Sequence, residues 1–352
     1  MRSAAHLEEL FAAVVANPDD VAARLVLADA LHEIGDVRGE LIQLQHRHDQ
    51  LAERHPERAA LAFKIKRLVA AHASTLAGEV ARYAAAWELT GGFVSEVTMT
   101  AASFGRHGPR LFAAHPIETL RLRPLDRASL EVLAAEPALA ILRGLWLHGH
   151  RGELSRAPLG RSPNLASLAV LRLTDVELEA THAREALAQI AAPRLARLVV
   201  RGAPLAPSVL FGLAENVAAP PIERLELACK GSVDAAELAT LFGAFGSAPA
   251  FARLRALSLE SWFSPRWAVE SWLSGPNAAQ LEHLHLGAGV IGDVVAHALA
   301  EGIARPVELD LTETSLGRGA LQVLLDSPAA ERLKTLRVPF AVRQYVPPHL
   351  CR

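Results

Sequence analysis

Two histidines and two carboxylates occupy equivalent places in neighbouring segments of the sequence. His283 and His285 alternate with leucines in LEHLHLG, and Glu308 and Asp310 alternate with apolar residues in VELDL. Residues two apart on a strand share a face, and adjacent strands lie about 4.8 Å apart, so the four side chains are predicted to converge. Such a set can bind zinc or a similar cation. Hydrogen bonds between His and carboxylate across strands explain the same residues without a metal, and no metal is assigned.

Other polar and aromatic residues flank leucines in the same alternating way. Those in the earlier segments are Arg121, Arg123, Trp146, His148, Arg172, Arg197, Arg201 and Arg224. Those in the later segments are Glu226, Glu260, His283, His285, Glu308 and Asp310. This order predicts a surface that is basic toward its N-terminal half and acidic toward its C-terminal half, which would orient a partner of complementary charge. Alternatively, adjacent strands neutralise one another across the sheet.

Signatures of catalysis are absent from the sequence. It has no Gly-rich phosphate loop ending in Lys-Ser/Thr, no dinucleotide fingerprint, no His-Glu-x-x-His and no Gly-x-Ser-x-Gly. Cys229 follows a predicted strand, and Cys351 lies in a tail too short to form a catalytic domain. We therefore expect neither enzymatic activity nor a cofactor.

The elements that position these residues form a repeat. The pattern apolar-x-x-Leu-x-Leu recurs in ten units whose starts are about 23 to 32 residues apart, a spacing that overlaps that of leucine-rich repeats. The units begin at Val94, Ile117, Leu142, Leu168, Leu195, Ile222, Leu254, Leu281, Pro306 and Leu333.

Each unit combines two periodicities. Leu257 and Leu259 alternate with Ser258, as in a strand with one buried face. Segments such as PSVLFGLAENVAA and LGRGALQVLLDSPA have apolar residues three and four apart, as in a helix. Strand and helix pairs of this size must stack to bury their apolar faces. The sequence thus predicts an α/β solenoid with parallel strands on its concave face and helices on its convex face.

Residues 94–338 resemble leucine-rich repeats of the longer, helix-containing type. The family usually has Asn or Cys three residues after the last strand leucine, whereas this chain has other residues there, for example Val176 and Thr314. No asparagine ladder is therefore expected, and the turns must satisfy their backbone groups in another way.

The first 90 residues predict helices instead. They run from His6 to Ala16, Val21 to Ile34, Arg38 to His48, Pro56 to His72 and Thr75 to Trp87. The stretch AARLVLADALHEIGDVRGELIQLQ resembles the N-terminal repeat-companion domain of bacterial leucine-rich-repeat proteins of the myxobacterial and planctomycete type. The resemblance implies a helical capping domain at 1–90 and a repeat domain at 91–352 with a short C-terminal cap.

The GDVRGE motif within this stretch has two interpretations. In the first it links two helices, with Arg38 paired to Asp29 or Asp36 and with Gly35 and Gly39 at positive φ. In the second, Gly35 to Glu40 form an anion or partner site at a helix N-terminus. Loss of folding on replacing Arg38 by Ala would favour the first interpretation.

Composition restricts the remaining possibilities. The 36 basic and 38 acidic residues give a net charge of -2, so the chain as a whole does not attract nucleic acid or an anionic membrane. No export signal or bilayer-spanning segment is apparent, and two distant cysteines fit a reducing, cytoplasmic compartment.

The sequence therefore predicts a scaffold that binds another protein through its concave face. The alternative is a module that binds a polyanion such as nucleic acid through the arginine row, with Trp146 as a stacking platform.

Overall fold

The computed structural model divides into two compact units. It describes residues 4–124, 127–150, 162–176, 188–203, 206–216, 220–229, 243, 245–260, 270, 272–287, 293–303, 305 and 307–351. The first unit comprises Met1–Pro124 and Glu136–Arg143, and the second comprises Leu125–Ala135 and Gly144–Arg352. Helices and a mostly parallel set of strands make this an α/β fold compatible with a solenoid-like arrangement.

The first unit begins with the helices expected from the sequence. Its helices are α1 Ala4–Ala16, α2 Val21–Glu33, α3 Val37–Gln50, α4 Pro56–Ala71, α5 Ala73–Ala77, α6 Val80–Tyr83 and α7 Ala101–Ala114. Asp20 caps α2 by accepting a hydrogen bond from the N–H of Ala23 (2.9 Å), and Asp36 caps α3 by accepting one from the N–H of Arg38 (2.8 Å). The two capping aspartates therefore determine where α2 and α3 begin.

Helices α2 and α3 approach each other closely at Gly39. A Cβ atom at this position would lie 2.6 Å from the carbonyl oxygen of Ala28 and 2.8 Å from the nitrogen of His32. Both obstacles are backbone atoms, so no side-chain rotation can relieve the contact. Gly39 is thus required for its small size. Because Gly39 lies inside α3, the expectation that it has positive φ is wrong. Gly35 does have positive φ, at 74°.

Replacing Gly39 by alanine is expected to lower the free energy of unfolding by about 2 kcal/mol, because α2 and α3 must separate to admit the methyl group. The measurement is urea denaturation followed by circular dichroism. Gly105→Ala is the matched control, since Gly105 lies within α7 with no atom near its absent Cβ, and alanine should there be neutral or stabilising by up to about 1 kcal/mol. Equal destabilisation by both changes would contradict the close approach.

The first unit also contains three strands, β1 Ala86–Thr90, β2 Phe93–Met99 and β3 Thr119–Leu122. Strand β1 pairs antiparallel with β2, and β2 pairs parallel with β3. The turn between β1 and β2 is Gly91–Gly92, with φ of 57° and 80°, as a tight hairpin requires. A single helix from Thr75 to Trp87 is therefore wrong: α5 ends before Gly78, which has φ of 52°, and Trp87 pairs with Val97 in the hairpin.

The second unit contains eight strands in its described residues. They are β4 Gly144–His150, β5 Val170–Val176, β6 Arg197–Ala203, β7 Arg224–Cys229, β8 Ala256–Glu260, β9 His283–Gly287, β10 Val307–Asp310 and β11 Leu333–Arg337. Each pairs in parallel with the next strand along the chain. With β2 and β3, they place a strand in each of the ten segments where the leucine pattern predicts one.

Leucines of these strands form the interior of the second unit. Leu225, Leu257 and Leu284 stand in register on β7, β8 and β9, and each is at most 2% exposed. Helices of the second unit in the described residues are α8 Arg127–Ala135, α9 Ala206–Glu215, α10 Asp293–Gly302 and α11 Arg318–Leu325. Short 3-10 helices are Pro163–Leu165, Pro249–Phe251, Ala278–Gln280, Ala330–Arg332 and Phe340–Tyr345.

Buried polar side chains before the strands satisfy backbone groups of the preceding segment. The Asn277 amide donates to the carbonyl oxygens of Phe245 and Ala248, both at 2.9 Å, and the Ser162 hydroxyl donates to that of Ala134 at 2.6 Å. Each bond spans 28 to 32 residues, about one repeat. These side chains bond the backbone of the preceding segment from positions ahead of the strands, outside the leucine pattern.

Candidate functional site

Alternate side chains of β4 to β11 lie on one face of the strands of the second unit, here named the strand face. Most of them are polar, and Val199 of β6 is a buried apolar exception between Arg172 and Glu226. The register places Trp146 beside Arg172, Glu226 beside Ser258 and His285 beside Asp310, while the intervening leucines are buried. The predicted binding residues on the strand face are Trp146, His148, Arg172, Arg197, Arg201, Arg224, Glu226, Glu260, His283, His285, Glu308 and Asp310. Their use in binding stays a prediction.

The two remaining predicted residues, Arg121 and Arg123, belong to the first unit. Arg121 lies on β3 and forms an ion pair with Glu96 of β2. Arg123 follows β3, is exposed, and donates its backbone N–H to the carbonyl oxygen of Met99 at 3.1 Å. The structure therefore assigns these arginines to a separate unit from the other predicted residues.

Arginines of β6 are neutralised by glutamates of the next two strands. The Arg197 guanidinium donates to Glu226 at 2.5 and 3.0 Å. Arg201 lies 3.5 Å from Glu226 and 3.0 Å from Glu260. Both glutamates are largely shielded from solvent, so these pairs are less screened than ordinary surface pairs. The two arginines of β6 are therefore compensated by Glu226 and Glu260, as expected if adjacent strands neutralise one another.

Trp146 and Arg172 form a stacked pair on β4 and β5. The Arg172 guanidinium lies 5.1 Å from the centroid of the Trp146 ring, within the range of a cation–π interaction. His148 is exposed on the same strand as Trp146 and stands beside Thr174. This end of the strand face thus presents an aromatic and cationic surface.

The predicted histidine and carboxylate cluster forms two separate pairs. His283 Nδ1 lies 3.2 Å from Glu308, and His285 Nδ1 lies 3.7 Å from Asp310. Arg337 of β11, which the sequence analysis did not single out, lies 3.4 Å from Asp310; its alternation with leucine in LKTLRV was the available signal.

Asp310 is held in its charged form by the groups around it. Partial burial alone would raise the pKa of its carboxyl group. Two hydrogen bonds from Thr312, the charge of His285 and a hydrogen bond from Arg337 have the opposite effect and together outweigh burial. The pKa of Asp310 is therefore lowered. The hydroxyl of Thr312 donates to Asp310 Oδ1 at 2.6 Å and its N–H at 3.0 Å. Asp310 thus presents a stable negative charge between His285 and Arg337.

A trough of about 240 Å³ crosses β7 to β11 on the strand face. Side chains along it include Arg224, Ser258, His283 and Arg337. Between β7 and β9 the trough is lined by the small residues Ala256 and Ser258 of β8, which sequence reasoning missed because it looked for large polar groups. The trough contains the predicted residues of β9 and β10.

The GDVRGE motif of the first unit forms a partly buried cation site. The Arg38 guanidinium lies 5.6 Å from the ring centroid of Phe11 and 5.3 Å from that of Phe93, and donates to the carbonyl oxygen of Leu76 at 2.9 Å. This differs from the expected pairing with Asp29 or Asp36. Burial lowers the pKa of Arg38, and the nearby charge of Asp36 partly offsets that effect.

His115 is a second buried polar group in the first unit. It is 6% exposed, and its Nδ1 atom has no hydrogen-bond partner among the described residues. Burial and, to a smaller extent, the charge of Arg38 lower the pKa of His115 to about 4 from its ordinary value of 6.5. The imidazole is therefore neutral at physiological pH.

Comparison with known proteins gives no relative from which a function could be transferred. No protein-family model matches the chain, and no curated protein matches it significantly. Among the described helices, none has both the length and the apolar character needed to cross a bilayer. Within the described ranges, no group of three or more His, Cys, Asp or Glu residues is arranged to hold a metal ion. Function must therefore be argued from the strand face itself.

Proposed function

We propose that the protein is a non-catalytic scaffold that binds another protein through its strand face. In this proposal the second unit is a leucine-rich-repeat solenoid and the strand face is its concave side. Regular strand order and buried leucines in register support the repeat assignment. The proposal also includes a helical N-terminal domain at 1–90 that caps the repeats and a cytoplasmic location, which fits the two distant cysteines.

The observation that carries this proposal is the composition of the strand face. Its described side chains include an aromatic, several arginines and several acids, all fixed on strands whose other side packs into the interior. Trp and Arg are enriched at the centres of protein interfaces, and rigid strands lose little entropy when a partner binds. A broad surface of mixed charge suits a folded protein better than a small substrate.

A second candidate function is the binding of a single-stranded polyanion such as nucleic acid. The stacking of Arg172 on Trp146 favours it, since aromatic rings and guanidinium planes stack on bases. Neutralisation of Arg197 and Arg201 by Glu226 and Glu260 weighs against it, because affinity for a polyanion depends on uncompensated cations. Protein binding is therefore the better supported function.

A variant in which Arg172, Arg197 and Arg201 are replaced by glutamine is expected to weaken partner binding at least about tenfold, because truncating charged anchors of an interface costs more than 1.4 kcal/mol. The full chain is immobilised, a captured protein is identified and purified, and its affinity is measured by calorimetry. The matched control replaces Arg106, Arg253 and Arg343, which are exposed and lie outside the strands. The control should bind as the wild type does.

Two outcomes of this experiment would contradict the proposal. Equal affinity of the strand-face variant and the control would show that the partner binds elsewhere. Saturable binding of a single-stranded oligonucleotide that falls by orders of magnitude between 50 and 200 mM salt, and that the strand-face variant loses, would support the second candidate instead.

A further inference from the structure

The trough on the strand face is a cavity of suitable size for one side chain of a partner. Between the longer side chains of β7 and β9, strand β8 contributes the small side chains of Ala256 and Ser258, with the buried Leu257 between them. Because the strands are about 4.8 Å apart, β7 and β9 are separated by roughly 10 Å. A slot of that width over small residues admits an extended side chain, and the lining residues determine its chemistry.

The β7 side of the slot has a positive charge that the described residues do not neutralise. Arg224 is exposed and lines the trough, and it has no ion pair in the part of the chain that the structure describes. Its neighbour in register is Arg197, a like charge whose guanidinium is directed to Glu226. Glu226 of β7 also lines the trough, but it is paired with both Arg197 and Arg201, so Arg224 remains available.

The opposite end of the trough has the reverse polarity. Glu308 and Asp310 line it at β10, where they face His283 and His285. A carboxylate would be repelled from β10 and attracted to Arg224, so the charges place it between β7 and β9, over Ala256, the neighbour of Arg224 in the strand register. The Ser258 hydroxyl lines the trough two residues further along β8 and is able to donate a hydrogen bond.

We propose that the slot over Ala256 and Ser258 receives the carboxylate side chain of an aspartate or glutamate of the partner protein, with Arg224 as its cationic partner. This inference rests on the proposed function, since it names the chemistry of the partner that the strand face binds. A guanidinium paired with a carboxylate forms charge-assisted hydrogen bonds of defined geometry. Arg224 therefore selects for an acidic side chain, and the width of the slot admits either an aspartate or a glutamate.

The test uses the full chain labelled with 13C and 15N at histidine and titrated with capped glutamate, N-acetyl-glutamate-methylamide, followed by NMR. Saturable shifts of the His283 and His285 imidazoles are expected, because both rings line the trough. The neutral isostere, capped glutamine, should produce no saturable shifts. Equal shifts with both compounds would overturn the inference.

Three variants separate the site from general surface binding. Arg224→Gln removes the charge and Ser258→Leu fills the slot, and each should weaken the apparent affinity for capped glutamate at least about tenfold. Arg253→Gln, the matched control, removes an exposed arginine from the turn before β8 and should leave the affinity unchanged. Retained affinity in Arg224→Gln, with unchanged circular dichroism, would overturn the inference.

Failure of this inference is distinguishable from failure of the proposed function. If capped glutamate does not bind but the triple arginine variant loses its partner, the slot assignment is wrong and the scaffold function stands. If the triple arginine variant keeps its partner, the scaffold function of the strand face is wrong, whatever capped glutamate does.

Discussion

Replacing Leu257 by alanine is expected to lower the free energy of unfolding of the second unit by about 3 kcal/mol, within the range for buried leucines in well-packed interiors. Leu257 is 2% exposed and stands between Leu225 and Leu284 in the strand register. Since neighbouring strands hold their backbones at a fixed spacing, the interior cannot collapse fully around the missing methyl groups. The loss therefore includes a cavity term as well as the lost burial of apolar surface.

Native-state hydrogen exchange is the appropriate measurement, because a long array of strands need not unfold in one step. Each strand pairs only with the strands on its two sides, so protection should fall most for amides of β7, β8 and β9. Ser258→Ala is the matched control: it changes the adjacent residue on the strand face and should alter stability by less than about 0.5 kcal/mol. Similar losses in both variants would contradict an interior lined by leucine.

The strands were predictable from sequence because their signal is repeated and local. Leucines alternate with polar residues in every segment, and a period of two is the direct consequence of strand geometry. The missed strand β1 also had a local signal, the Gly91–Gly92 pair between two alternating runs. The predicted helix from Thr75 to Trp87 extends into β1 because the alanine-rich stretch before that strand has high helix propensity, although Gly78 favours a break in the helix. The domain boundary at residue 90 stays a prediction.

The positions of the strand-face residues were predictable, but their pairing was not. Arg197 of β6 stands beside Arg224 of β7 in the strand register. Its guanidinium nevertheless bonds Glu226, which lies two residues after Arg224 on β7. Long side chains reach diagonal neighbours as readily as lateral ones, and the choice depends on rotamers and on all surrounding charges. The sequence therefore identified the groups of the candidate site without showing which glutamates neutralise the arginines of β6.

The environment of Arg38 could not be predicted from the GDVRGE motif for a related reason. Its aromatic neighbours, Phe11 and Phe93, lie far from Arg38 in the sequence. The expected partners, Asp29 and Asp36, lie within ten residues of it. A second group is affected as well, because burial and then the charge of Arg38 lower the pKa of His115. The first unit therefore contains a partly buried permanent cation and a buried neutral imidazole.

The first unit is accordingly expected to lose about 3 kcal/mol of stability as the pH falls from 6.5 to 4, through His115 alone. The pKa of His115 is about 4 in the folded protein and 6.5 ordinarily. Between these two pH values the unfolded chain binds a proton that the folded unit does not bind. This difference in pKa corresponds to a loss of about 3 kcal/mol in the free energy of unfolding. Above pH 6.5 both states are neutral and this contribution is constant.

Urea denaturation at pH 7, 5.5 and 4 tests this expectation by comparing the wild type with His115→Asn. The variant lacks the titrating group, so its stability should fall by about 3 kcal/mol less than that of the wild type over the window. His32→Asn is the matched control, because it removes an exposed histidine of the same unit and leaves His115 and Arg38 in place; it should retain the full loss. Parallel losses in the wild type and His115→Asn would mean that His115 takes up its proton equally well in the folded unit, and that neither burial nor Arg38 keeps the imidazole neutral.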